Sequence, residues 1–312
     1  MKSPLKFFFW RYSRVFQKLG LKVYEYLGRF ISLDKHKQIL INRNPNLTDL
    51  LIYERRISIG NLLSDKFDYV VQSGVFKDLK LDRNMKYSGL DRSAMLLGLY
   101  EYEVLQILEN RIHEKEFVIN LGVADGYYLV GLAKALLRTP QPPIFSSPHS
   151  HFIDKKELNT QPVVHYGFEQ DLSQKVNILK LAEINGLDVG SFEILGSADK
   201  DWIDKLPPNL DFSKSIIIID IEGDEYEIMN SHVFEKLKGA LIIIEVHEFK
   251  SDARESIEKM IGDASSFKSQ ILKTSSRDLS NFTDSLGLDD IDRWLICPEG
   301  RGINSGKWLI LE

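Results

Sequence analysis

Two short stretches set carboxylates and an imidazole at a spacing that chemistry can use. Asp220-Ile-Glu222 and Glu245-Val-His247 each close an unbroken apolar run, residues 216–219 and 241–244. Runs of this kind read as buried strands, and residues i and i+2 of a strand share a face. Asp220 therefore sides with Glu222, and Glu245 with His247 where that strand persists. If the two strands are neighbours, about 4.8 Å apart, three carboxylates and one imidazole converge on a single edge. Such crowding raises at least one carboxyl pKa and favours a protonated His247, unless a substrate or a cation neutralises the cluster. The acids that follow, Asp224, Glu225 and Glu227, read as a favourable start to a helix.

Two further strand ends carry ligand-type features. Residues 117–121 form an apolar run that continues as Asn120-Leu-Gly122-Val-Ala124-Asp-Gly126-Tyr127 into a helical pattern. Gly122 and Gly126 permit close backbone approach, and the helix that follows turns its free N–H groups and positive dipole end towards a ligand. The spacing Gly-x-x-x-Gly is not the Gly-x-Gly-x-x-Gly that cradles a dinucleotide pyrophosphate. The next strand ends in Phe168-Glu169, where a carboxylate can accept hydrogen bonds from both hydroxyls of a ribose. His149 and His151 lie in a Pro/Ser-rich insertion, residues 139–161, with no other ligand candidates beside them, so a metal site is not expected there.

The elements that must position these residues follow from pattern. After residue 116 short Ile/Val-rich runs alternate with helical patterns near 127–137, 171–185, 224–237 and 252–262. Strands of that texture are buried on both faces, as in a parallel sheet covered by crossover helices. The expected fold is α/β, a doubly wound Rossmann-like sheet over residues 116–312, with strands at 117–121, 163–168, 192–195, 216–221, 241–246, 267–272 and 307–311. Ligands bind such sheets beyond the carboxyl ends of the strands. Residues 34–115 read as a mixed, largely helical lead-in: a helix capped by Asn46 or Thr48, strands at 69–71 and 74–81, and one helix over 94–112. Residues 1–33 hold seven Lys/Arg against one acid, with Phe9, Tyr12, Phe16, Leu19, Val23, Tyr26 and Phe30 along one face. That is a basic amphipathic helix, which packs on the body or a subunit, or attaches to an anionic membrane surface.

Composition narrows the classes. Of 312 residues, 40 are Lys or Arg and 45 Asp or Glu, a net charge of −5, which argues against a basic nucleic-acid binder. The single cysteine, Cys297, excludes an internal disulfide and every Cys-based metal cage within the chain, and fits a reducing, cytoplasmic address. No apolar run approaches the roughly 20 residues that cross a bilayer.

Over residues 70–312 the chain resembles the FkbM-type class I S-adenosylmethionine-dependent methyltransferases. Phe117-Val-Ile-Asn-Leu-Gly-Val-Ala-Asp-Gly-Tyr-Tyr is similar to that family's Ile-Ile-Asp-Val-Gly-Ala-Asn-x-Gly-Tyr-Tyr. Ile219-Asp-Ile-Glu-Gly-Asp-Glu resembles its Asp-Val-Glu-Gly-x-Glu, and Ile243-Ile-Glu-Val-His its Glu-x-His strand end. Ser73-Gly-Val-Phe-Lys-Asp-Leu-Lys, Leu97-Gly-Leu-Tyr-Glu-Tyr-Glu and Pro298-Glu-Gly-Arg301 resemble its lead-in and closing turn. The resemblance implies a seven-stranded sheet with an antiparallel last pair, S-adenosylmethionine as cofactor, and methyl transfer to an oxygen of a sugar, glycan, lipid-linked or secondary-metabolite acceptor. By matching position, Gly122, Ala124 and Gly126 line the amino-acid end with Asn120 and Tyr127, and Glu169 holds the ribose. Ser197 and Ala198 face the adenine, and Asp220 sits by the reacting methyl. Asn120 stands where the family has Asp, and Ala124 where it has Asn, so no charge at 120 pairs with the methionine ammonium. His247 is the expected base, oriented by Glu245 or Glu222. A divalent cation on Asp220, Glu222 and His247 is a secondary expectation, and residues 275–305, with Arg277 and Arg301, form a candidate substrate lid. The alternatives are a non-catalytic module on the same fold that binds a partner enzyme, and a nicotinamide-dependent oxidoreductase.

Overall fold

In the run Ser215-Ile-Ile-Ile-Ile219, alternate isoleucines leave the strand on opposite faces, and every one of them is buried. Ile216 and Ile218 enter one apolar cluster, Ile217 and Ile219 another. A strand with two buried faces needs cover on both, and that requirement organises the molecule. The computed structural model describes residues 45–85, 89–138, 164–247, 253–282, 286–296, 299 and 306–312. The chain forms two units, residues 1–55 and 56–312, and the sheet belongs to the second. The amphipathic segment 1–33, the insertion 139–161, His149, His151, Cys297 and Arg301 lie outside the described residues.

Seven strands form the sheet: β1 (Phe117–Leu121), β2 (His165–Phe168), β3 (Phe192–Leu195), β4 (Ser215–Ile219), β5 (Leu241–Val246), β6 (Ser269–Lys273) and β7 (Lys307–Leu311). Their order is β3-β2-β1-β4-β5-β7-β6, and β7 alone runs against its neighbours. The expected doubly wound, mostly parallel sheet with an antiparallel final pair is therefore present. The strand order reverses between β1 and β4, which places a ligand crevice at their carboxyl ends.

The helices are α1 (Pro45–Lys66), α2 (Arg92–Leu97), α3 (Tyr102–Arg111), α4 (Tyr127–Arg138), α5 (Gln174–Ile184), α6 (Glu225–Ile228), α7 (Ser231–Lys236), α8 (Ala253–Asp263) and α9 (Asp290–Leu295). Leu129, Leu132, Ile178 and Leu181 from α4 and α5 share one cluster with Ile59 and Leu63 of α1, Leu96 of α2 and Leu105 of α3. Val233 and Phe234 of α7 and Ile257 and Met260 of α8 cover the opposite face, with Trp202. Residues 56–111 thus contribute to the same apolar layer as the sheet.

Four local expectations are corrected. Residues 69–71 and 74–81 make one antiparallel bridge, Val70 with Lys80, inside a series of turns. The helix expected over 94–112 is two, α2 and α3, because Gly98 adopts φ 70° and a Cβ there would lie 2.2 Å from Ser73 O. The helix expected over 224–237 is also two, since Asn230 caps α7, its side chain accepting from His232 N and Val233 N at 3.0 and 3.2 Å. α1 begins at Pro45, so Asn46 and Thr48 lie within it rather than before it.

One buried base ties this core to pH. His165 on β2 is 7% exposed, packs on Phe192 at 5.3 Å between ring centroids, and lies with Nδ1 3.3 Å from Val118 N, accepting its N–H. Burial lowers its pKa to about 4. The folded state resists a proton that the unfolded chain accepts near pH 6.5, so stability is full above that pH and falls as the pH drops towards 4. The loss is expected to reach roughly 3 kcal/mol. Urea midpoints between pH 7 and 4 should decline steeply in the wild type and less in His165→Gln; parallel slopes would contradict this.

Candidate functional site at the carboxyl edge

Gly122 is fixed by its surroundings. It has φ 82°, and a Cβ at this position would fall 1.7 Å from Asp220 O, so the β1 loop and the end of β4 touch backbone to backbone. Gly122 N and Val123 N both donate to Phe168 O, at 2.9 and 3.2 Å, folding the loop across the end of β2. Ala124 takes φ 48°, the left-handed conformation that Asn tolerates better than Ala. Its N–H donates to Glu169 Oε2 at 2.9 Å, and Asp171 N donates to Oε1 at 2.8 Å. Glu169, 8% exposed, is thus held rigidly at the end of β2.

The other expected contacts sit on the same edge. Asn120 is buried, with Nδ2 3.4–3.5 Å from the carbonyl oxygens of Leu121, Gly122 and Ile218. Three acceptors around this side chain suit an amide and would repel a carboxylate, which gives Asn120 a structural reason. Tyr127 opens α4 beside the loop; its hydroxyl is buried without a hydrogen-bond partner among the described residues, and burial, followed by the charges of Glu101 and Glu299, raises its pKa. Ser197 and Ala198 follow β3, the serine exposed with its carbonyl accepting from Lys205 Nζ at 3.2 Å.

The acid and imidazole cluster assembles, by a route other than strand alternation. β4 stops at Ile219 and β5 at Val246. Glu222 then takes φ 55° and Gly223 φ 104°, reversing the chain. His247 Nε2 lies 3.6 Å from both Asp220 Oδ1 and Glu222 Oε2. The turn also delivers Glu225, a fully buried carboxylate that the sequence had assigned to helix initiation. Its Oε2 accepts from Gly223 N at 2.9 Å, and its Oε1 accepts from His247 N at 3.0 Å and lies 3.2 Å from His247 Nδ1. Glu225, rather than Glu245 or Glu222, is therefore the group that orients the imidazole. The sequence signal was Gly223, whose turn brings residue 225 back under the strand ends. With Nδ1–H assigned towards Glu225, Nε2 faces Asp220 and Glu222.

Charge crowding acts as chemistry requires. Burial of His247 alone would lower its pKa, but the Glu225 hydrogen bond and charge, with the charges of Glu245 and Glu222, raise it. Asp220 is pushed well above the ordinary carboxyl range by burial, by the charges of Glu245, Glu101 and Glu222, and by a hydrogen bond with Glu245. Asp220 Oδ1 is buried with no hydrogen-bond partner among the described residues. Asp220, Glu222 and His247 offer ligand atoms within 4.8 Å of one another, a set that could hold a cation. Farther along the edge, Arg277, with a side chain 2% exposed, binds Glu103 Oε1 at 2.6 Å and Glu299 Oε1 at 2.5 Å, tying its segment to the start of α3.

No family model matches the chain, and no curated protein does. Among solved structures, the O-methyltransferase TomG from Streptomyces achromogenes, in complex with SAM, is 14% identical over 71% of this chain and 92% of its own, at a TM-score of 0.41. A precorrin-6y C5,15-methyltransferase from Geobacter metallireducens is 10% identical over 75% and 91%, at 0.40. The fibrillarin of Aeropyrum pernix, with natively bound S-adenosyl-L-methionine, is 10% identical over 69% and 74%, at 0.38. Likenesses this distant carry nothing about the reaction; the fold stands on the strand order and pairing described above.

Proposed function

We propose that the chain is an S-adenosylmethionine-dependent methyltransferase acting on a hydroxyl of a sugar-containing, lipid-linked or secondary-metabolite acceptor. The observation that carries this reading is a single edge on which a glycine loop with a forbidden Cβ at Gly122, a rigid carboxylate at Glu169 and the His247 cluster stand together. The donor set fits the cofactor. The close approach of Gly122 to Asp220 O sets the β1 loop against the end of β4, where the amino-acid end would lie, Glu169 keeps lone pairs for the ribose hydroxyls, and the acids around Asp220 favour a sulfonium cation. When bound, the cofactor supplies an electrophilic methyl group. Glu225 holds the His247 ring, and Nε2 takes the proton of the attacking hydroxyl. A second reading sets a divalent cation on Asp220, Glu222 and His247, favoured by the Asp220 Oδ1 that accepts no hydrogen bond among the described residues; the cation would polarise an acceptor oxygen. Exhaustive chelation separates the two, sparing turnover under the first and abolishing it under the second.

Equilibrium binding of S-adenosylhomocysteine to wild type and Glu169→Ala tests the ribose placement. Loss of a charge-assisted hydrogen-bond pair predicts affinity lower by roughly tenfold to a hundredfold, whereas equal affinities would remove Glu169 from the site. An N-terminal segment docked on an anionic membrane surface is part of this proposal, tested by liposome sedimentation with and without residues 1–33. Among the described residues no helix is long and apolar enough to cross a membrane.

A further inference from the structure

His247 lies past the ladders that hold its strand. β5 pairs with β4 as far as Ile244 and with β7 as far as Val246. Within an antiparallel pair, the N–H and C=O of one residue can both be taken by the residue opposite. Beyond the last pair that hold is gone, and the ends of elements open most readily. A general base tolerates little of this, because a reacting constellation must be kept within about 0.5 Å of its productive geometry.

Two consecutive residues of α6 supply the missing partner. Glu225 Oε1 accepts from His247 N at 3.0 Å, and Tyr226 Oη donates to His247 O, also at 3.0 Å. A carboxylate and a phenol thus do for His247 what the C=O and N–H of a neighbouring strand do inside the sheet. The ring is held by the same carboxylate, with Nδ1 3.2 Å from Glu225 Oε1. The reversal at Glu222 and Gly223 is what turns residues 225 and 226 towards the strand end. The aromatic ring of Tyr226 packs against the apolar cluster that contains Val246 and Ile257. Phenylalanine would cover that surface equally well. The hydroxyl is the part that packing does not use, and its acceptor is the main chain of the base itself.

We infer that Tyr226 is a positioning residue for His247: its hydroxyl, together with the Glu225 carboxylate, clamps the main chain at 247 and so keeps Nε2 beside Asp220 and Glu222. The inference rests on the methyltransferase reading for what His247 does, and deepens it by adding a residue that acts through the base. It also separates two tasks. Glu225 sets both the charge and the orientation of the imidazole, whereas Tyr226 contributes placement without charge.

The test is nuclear magnetic resonance of the full chain labelled with [15N]histidine, which reduces the spectrum to seven histidines. The His247 signals are those lost in His247→Ala. Tyr226→Phe deletes the hydroxyl alone, and loss of one neutral hydrogen bond predicts hydrogen exchange at the His247 amide faster by about fivefold to tenfold. In the neutral ring, the 15N shifts should move from a single Nδ1–H tautomer towards a mixture of the two. The amide of His165, buried on β2, is the internal reference and should keep its rate, because a merely structural loss would accelerate both. An unchanged His247 amide and ring, or an acceleration shared equally by His165, overturns the assignment. Titration of the same samples with S-adenosylhomocysteine reads the cofactor site separately, and Tyr226→Phe should bind it within about threefold of wild type. Absence of binding by the wild type would count against the methyltransferase reading alone, since the clamp is read from His247 without any ligand.

Discussion

Replacing His247 with alanine is expected to slow methyl transfer by about 10²–10⁴-fold, the usual worth of a positioned general base, while S-adenosylhomocysteine affinity stays within about threefold of wild type. The separation follows from geometry. His247 Nε2 points into the acid cluster and its Nδ1 is turned towards Glu225, so the ring is placed for a proton and not for the nucleoside. The pH profile carries a further expectation. The base form is required, and the pKa of His247 is raised, so kcat/KM should fall as pH drops through a value above the ordinary 6.5 of an imidazole. Glu225→Gln removes the hydrogen-bonded charge on Nδ1; the acidic limb should move to lower pH, with a smaller loss of rate than in His247→Ala. An unshifted limb in Glu225→Gln, or turnover unchanged in His247→Ala, would take His247 out of proton transfer.

The second large effect is on stability. Gly122→Ala must accommodate a Cβ 1.7 Å from Asp220 O and hold a left-handed φ of 82°. A left-handed alanine costs about 1 kcal/mol by itself, and separating the β1 loop from the end of β4 brings the expected loss to at least roughly 3 kcal/mol. At about 2–4 °C per kcal/mol for a domain of this size, the midpoint should fall by at least about 6 °C. Ala124→Gly is the matched control. It lies in the same loop, also at positive φ, and relieving that conformation should keep stability within about 1 kcal/mol of wild type. Equal behaviour of the two variants would mean that the loop and β4 do not touch as described.

Much of this architecture was legible because the strands announce themselves. β1, β5 and β7 lie where their apolar runs predict, since burial on both faces leaves no polar alternation to misread. The carboxyl edge was legible for the same reason, as Glu169, Asp220 and His247 each follow a strand. The breaks within the helical stretches were not. Gly98 and Asn230 interrupt apolar periodicity that runs on past them, and only the close approach of Ser73 to Gly98 and the cap made by Asn230 reveal why. Glu225 was the most consequential omission. An acid in the first turn of a helix is ordinarily a dipole partner in solvent, and only the reversal at Glu222 and Gly223 converts it into the buried anchor of His247. The convergence of acids on His247 was anticipated, but from strand alternation; the turn after Asp220 is what achieves it.

The most direct measurement is thermal unfolding of the full chain with saturating S-adenosylhomocysteine, S-adenosylmethionine or NAD. A ligand at a hundred times its dissociation constant adds about 2.7 kcal/mol, worth several degrees in a domain of this size. A rise with S-adenosylhomocysteine and S-adenosylmethionine, and none with NAD, is the predicted result. No rise with either sulfur ligand, or a rise with NAD alone, would contradict the assignment of this edge to methyl transfer.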